Sequence, residues 1–246
     1  MKVLILAGGY GTRLYPVVKD IPKALLEVCG KTLIDHVLEK FIKVEGIDEV
    51  CVVTNDKFAS QIESWASQKT VLPFPVRVIN DGTKSPHERL GAVGDILFVL
   101  DKEKEPVDWL VAGSDNLFDA GVEAFVRSAQ SRGGYASVGA YDIRDTAAAS
   151  IYGVLEFADD GRILSLEEKP KAPRTSLISM CLYYFPKEMQ AMIRQYVTET
   201  NATDTTGGFL QWLYKKNIVY GFKFNGKWYD IGSLEAYDHA QRDYRD

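Results

Sequence analysis

Apolar residues along this chain fall first into short unbroken runs. Residues 3–7, VLILA, are continuously apolar and stop at Gly8-Gly9, which predicts a strand buried on both faces, as in a parallel sheet. EVCVVT at 49–54, PVRVIN at 75–80 and WLVA at 109–112 repeat the pattern. Between the runs the period lengthens. Leu33, Ile34, Val37, Leu38, Phe41 and Ile42 form one helical stripe, opened by Thr32 as a cap with Asp35 three residues on. Further helices are expected over about 56–67 and 92–100, and from the spacing of Val122, Phe125, Val126 and Ala129. Strands alternating with helices predict an α/β fold with a doubly wound, mostly parallel, Rossmann-like sheet and right-handed crossovers.

The pattern changes after about residue 133. Strand-like stretches at 135–141, 152–157, 163–167 and 178–185 have fewer helices between them, and Asp159-Asp160-Gly161 is a hairpin-turn signal. Helices are expected again near 187–198, 205–216 and 233–242. The second half therefore reads as mixed strands extending the same sheet. With no repeat, low-complexity tract or linker, residues 1–246 are expected to form one domain with halves 1–132 and 133–246; that length is ample for a core.

Charge narrows the classes of partner. The formal net charge of -5 argues against a nucleic-acid binder, because a phosphate backbone rewards a basic face. No segment approaches the roughly 18 apolar residues of a membrane span. The run after Met1 is too short for a signal peptide. Cys29, Cys51 and Cys181 are isolated, which suits reduced thiols in a cytoplasmic protein. His36, His87 and His239 have no metal-ligand spacing.

The candidate chemistry begins where the first strand ends. Residues 8–23 read GGYGTRLYPVVKDIPK. Glycines let backbone N–H groups approach a phosphate closely. Arg13 adds a planar fork of donors and Lys23 a point charge. Such a loop, at the carboxyl end of a parallel strand, lies where open α/β sheets bind ligands. Leu14 occupies the position where a dinucleotide-binding G-x-G-x-x-G motif needs glycine, and the Gly-Lys-Ser/Thr ending of a P-loop is absent.

G-G-x-G-T-R-L-x-P followed by Pro22-Lys23 resembles the signature of the sugar-phosphate nucleotidyltransferases, or NDP-sugar pyrophosphorylases. The resemblance runs along nearly the whole chain. Gly113-Ser114-Asp115-Asn116, Tyr152-Gly153-Val154, Glu167-Glu168-Lys169-Pro170 and Trp228-Tyr229-Asp230-Ile231-Gly232 are similar to the family's later motifs, in order. It implies transfer of a nucleoside monophosphate from an NTP to a phosphorylated small molecule, most simply a sugar 1-phosphate, with release of pyrophosphate. It makes 1–132 the nucleotide-binding half and 133–246 the acceptor-binding half. It assigns Arg13 to the departing pyrophosphate and Lys23 to the phosphates at the reaction centre. It also implies that Leu6, Ala7, Gly8, Gly9, Gly11, Thr12 and Gly91 bind the nucleotide, that Asp115 and Asp230 hold Mg²⁺, and that Gly153, Glu168 and Lys169 meet the acceptor. Glu167 faces away from Glu168, since strand side chains alternate.

The match departs from the family at three places. Ser114 replaces the usual glycine before the metal-binding Asp. Met180-Cys181 stands where many relatives have glycine beside the sugar, and the 81–90 loop lacks the common glutamine pattern beside the base. A cytidylyltransferase for a non-sugar, phosphocholine-like acceptor and a non-catalytic nucleotide-binding regulatory subunit therefore stay open, as does self-association into a homo-oligomer. The last motif lies near the end of the chain, and no second activity is expected within it.

Overall fold

The structure, a computed structural model, describes residues 1–15 and 18–244. Its elements begin with β1 (Lys2–Ala7), β2 (Glu27–Val28), β3 (Lys31–Thr32), α1 (Leu33–Glu39), β4 (Glu49–Thr54), α2 (Ala59–Ser67) and β5 (Val76–Asn80). Then come α3 (Ala92–Leu100), β6 (Trp109–Gly113), β7 (Asn116–Phe118), α4 (Glu123–Gln130), β8 (Ala136–Asp142), β9 (Gly153–Phe157) and β10 (Ile163–Glu168). The last are β11 (Leu177–Phe185), α5 (Met189–Thr200), α6 (Thr206–Leu213), β12 (Val219–Phe224), β13 (Trp228–Asp230) and α7 (Leu234–Asp243). This is the α/β class expected from the sequence. Two compact units emerge. One contains residues 1–91, 112–123 and those from Gly226 on; the other contains 92–111 and 124–225.

In the first unit β1, β4 and β5 lie side by side and parallel, with Leu4 opposite Cys51 and Cys51 opposite Arg77. Val3, Leu4 and Ile5 and residues 50–53 are fully buried, as unbroken apolar runs require when both faces of a strand are covered. Thr32 caps α1, accepting the Asp35 N–H at 3.3 Å. The expected apolar stripe loses its last member. After Glu39 the backbone bonds shorten to i→i−3, from Lys40, Phe41 and Ile42 to Val37, Leu38 and Glu39, so the turn tightens and Ile42 is 41% exposed. Helix α2 starts at Ala59 rather than near 56, because the Asn55 side chain accepts the Phe58 N–H and holds 55–58 in a turn. Two short antiparallel ribbons complete the unit: β2 with β3, and β7 with β13.

In the second unit β8 pairs parallel with β12 and antiparallel with β11. Strands β9 and β10 form the expected hairpin, turned at Gly161 with φ +86°. Strand β11 is buried along most of its length. Helix α6 closes its side with Phe209, whose ring packs on Phe185, Tyr196 and Trp212. The mixed second half is thus as the sequence reads, although β12 is an addition. Among the described residues no helix is long and apolar enough to cross a membrane, and Cys29, Cys51 and Cys181 lie outside any disulfide.

Candidate functional site

The glycine loop leaves β1 against the ends of β4 and β6. Leu6 O accepts the Ser114 N–H at 3.0 Å. Ala7 O accepts the Thr54 hydroxyl at 3.3 Å, and Gly8 O accepts Asn55 Nδ2 at 3.0 Å. Tyr10 is buried, and its hydroxyl donates to Thr83 O at 2.9 Å, fastening this loop to the 81–90 loop. Gly11 has φ +62°, and a Cβ there would stand 2.9 Å from Val18 Cγ2, so glycine is required on both conformational and steric grounds. Thr12 and Arg13 follow in an exposed 3₁₀ turn closed by the Leu14 N–H on Gly11 O. Gly91, with φ +81°, ends the 81–90 loop. Pro16, part of the motif, lies outside the described residues.

Four charged residues, distant in sequence, meet in this unit. Lys23 Nζ donates to Asp115 Oδ2 at 2.5 Å. Asp115 directly precedes β7, and β13 runs back along that strand with Asp230 opposite Asn116. The Ile231 N–H donates to Asp115 O at 3.2 Å, so both aspartates sit at one end of the ribbon. Trp228 Nε1 donates to Asn116 Oδ1 at 2.5 Å and fixes the register. Asp230 Oδ2 and Arg13 Nη2 both lie against Gly232, 3.3 and 3.7 Å from where a Cβ on it would be. Beneath the ribbon an apolar cluster joins Leu14, Val18, Leu26, Leu117, Ile231 and Tyr244. Asp115 and Asp230 offer hard carboxylate oxygens, the donor type that a hard divalent cation prefers when water and phosphate complete its shell.

The second unit assembles the other group. Glu168 ends β10, and Lys169 takes φ +48°. Consecutive strand residues point to opposite faces, but the left-handed residue breaks that alternation. Lys169 Nζ comes to 3.9 Å from Glu168 Oε1, and the Lys169 N–H is held by Tyr152 O at 2.9 Å. Burial raises the Glu168 carboxyl above its usual range, against the opposing effects of Lys169 and a hydrogen bond from Thr205. Glu168 Oε2 would lie 3.2 Å from a Cβ on Gly153, so the glycine gives the carboxylate room. Glu167 is exposed, as the alternation predicts. Ser114 is buried with its N–H bonded, and the serine fits there.

The structure therefore brings together Arg13, Lys23, Asp115 and Asp230 in one unit, and Gly153, Glu168 and Lys169 in the other. The sequence reading missed Tyr10, Thr83, Thr205, Gly207 and Gln211. Thr205 and Gly207 carried a faint signal, as a capping threonine and a glycine pair at the start of an expected helix. Tyr10 carried none, because its partner lies 73 residues away.

The family described as "Nucleotidyl transferase" matches residues 2–246. This chain belongs to the nucleotidyl transferase family. Among its relatives, a Sulfolobus acidocaldarius protein named "Putative mannose-1-phosphate guanyltransferase" is 30% identical over 241 residues, covering 96% of this chain and 61% of the relative. A glucose-1-phosphate adenylyltransferase of Acetivibrio thermocellus is 27% identical over 256 residues, covering 98% of this chain and 59% of the relative. The chain thus spans about three-fifths of the length of both. A solved UDP-glucose pyrophosphorylase, complexed with UDP-glucose, shares the fold at TM-score 0.80 and 21% identity, over 98% of this chain and 97% of its own.

Proposed function

We propose that this chain transfers a nucleoside monophosphate from an NTP to a sugar 1-phosphate, forming an NDP-sugar and releasing pyrophosphate. The observation that carries the reading is the convergence of Lys23, Asp115, Asp230 and Arg13 beside the glycine loop. An oxygen of the acceptor phosphate attacks the α-phosphorus in line, and the bond from that phosphorus to the β-phosphate oxygen breaks. The electron pair leaves with pyrophosphate. The attacking phosphate is already anionic near neutral pH, so the protein's task is to hold and neutralise two polyanions.

In this scheme the backbone of residues 6–12 and Gly91 cradle the nucleotide. Lys23 binds phosphate oxygens at the reaction centre, and Arg13 receives the charge that builds on the leaving pyrophosphate. Lys169 meets the acceptor phosphate, and Glu168 accepts hydrogen bonds from acceptor hydroxyls. Mg²⁺, held by Asp115 and Asp230, would supply charge neutralisation on the phosphates. Three cysteines outside any disulfide and an NTP substrate suit a cytoplasmic setting.

The deciding experiment supplies Mg²⁺ and each of four NTPs with sugar and non-sugar phosphates, and follows pyrophosphate. Release with an NTP and a sugar 1-phosphate supports the proposal. Half-buried Cys181, on β11 beside Tyr183 where many relatives have glycine, favours the non-sugar acceptor as the second reading. Release only with a non-sugar phosphate would select it. NTP binding with no release under any pairing would leave a regulatory subunit and defeat both.

A further inference from the structure

Glu168 is gripped by one helix at three points. The Glu168 backbone N–H donates to Gln211 Oε1 at 2.7 Å. Its carboxylate takes a hydrogen bond from Thr205. Gly207 faces the same carboxylate so closely that a Cβ there would overlap Oε2 and stand 2.9 Å from Oε1. Thr205 is also the cap of α6, accepting the Gly208 N–H at 3.1 Å. Its oxygen thus joins the carboxylate to the first turn of the helix, the end that favours negative charge.

The grip is anchored. The Thr206 hydroxyl lies 2.9 Å from the hydroxyl of buried Tyr183. The carbonyls of Thr203 and Asp204 accept the N–H groups of Val93 and Ala92 at 2.9 Å each. A side chain added at Gly207 must therefore displace the Glu168 carboxylate rather than the helix.

We propose that α6 is a clamp for Glu168, in which Thr205, Gly207 and Gln211 are positioning residues for acceptor recognition. This rests on reading Glu168 as an acceptor-binding residue. Thr205 turns the carboxylate, Gly207 leaves it the space it occupies, and Gln211 fixes the strand end that carries it. None of the three needs to touch the acceptor.

Two readouts test the clamp. The first is site-resolved NMR titration of Glu168, which needs no activity. Gly207→Ala pushes the carboxylate toward water and should bring its titration down toward the ordinary carboxyl range. Thr205→Val should raise it further, by removing a bond to the charged form, and Thr205→Ser should restore it. A Glu168 titration identical in wild type and Gly207→Ala would overturn the clamp, whether or not a reaction is found. The second readout is kinetic. Gly207→Ala should raise the acceptor KM by about tenfold, the scale of one lost hydrogen bond to a charged group, with the NTP KM unchanged. In a Glu168→Ala background the same substitution should add nothing. Equal losses for both substrates, or full additivity, would also overturn the proposal. If the titrations move as expected but no acceptor reacts, the clamp stands and the transferase reading fails.

Discussion

Lys23 faces Asp115 at 2.5 Å in a part-buried setting, so each holds the other ready at the point where phosphates are proposed to react. Lys23→Ala should lower kcat by about 10²–10³-fold, as removal of a single charge-stabilising donor does; a loss under threefold in steady-state assays would remove it from the mechanism. Gly11→Ala forces a side chain into a left-handed conformation against Val18. It should cost about 1–3 kcal/mol in urea unfolding, with a weakened NTP affinity. Glu168 carries the opposite lesson, that a useful residue can be a stability burden. Its folded pKa is raised, by burial foremost, so its contribution is most favourable below the ordinary carboxyl range. That contribution is lost as pH rises through the raised value. Glu168→Gln should therefore melt higher than wild type, by a margin that grows from pH 4 to pH 8 in thermal scans.

Elements decide how far these residues can be trusted to stay in place. The β7–β13 ribbon is only three residues long on each side, and the buried cluster with Leu117 and Ile231 at its centre supports it. Leu117→Ala should cost about 2–5 kcal/mol, and its effect on turnover should exceed its effect on the β8–β11 pairing followed by hydrogen exchange. This ribbon was invisible in the sequence as an element. Asp115 and Asp230 were legible as site residues because each sits in a motif, but NLF and WYD are too short to show a period, and their pairing spans more than a hundred residues. Long apolar runs such as 49–54 were legible because burial on both faces leaves no alternative pattern. The end of α1 was not, because the tightening after Glu39 is a backbone event that the apolar period of Phe41 and Ile42 does not record. Likewise Thr205 and Gly207 read only as the start of a helix, since their contact with Glu168 is made in three dimensions.

At the scale of the whole molecule, each unit carries an acid-sensitive tie. In the first, burial would raise the Glu49 carboxyl, but hydrogen bonds from Arg77 and Lys2 prevail and bring it to about 2. In the second, hydrogen bonds from Ser176 and Lys223 bring Asp142 to about 2. Both folded values lie below the usual carboxyl range, so these ties stabilise fully above about pH 4.5 and are lost as pH falls toward 2. Circular dichroism should show the melting temperature falling steeply between about pH 4.5 and 2, and Arg77→Met should flatten that fall. The β7–β13 ribbon also bears on the order in which the molecule is made. Its first strand leaves the ribosome more than a hundred residues before its second, and domains tend to fold as the chain emerges. A nascent chain that has reached residue 225 already carries Lys23, Asp115 and the glycine loop, yet has nothing to pair with residues 116–118. The aspartate end of the site is thus completed only late in the synthesis of the first unit, which keeps a half-made chain from presenting its full set of charges.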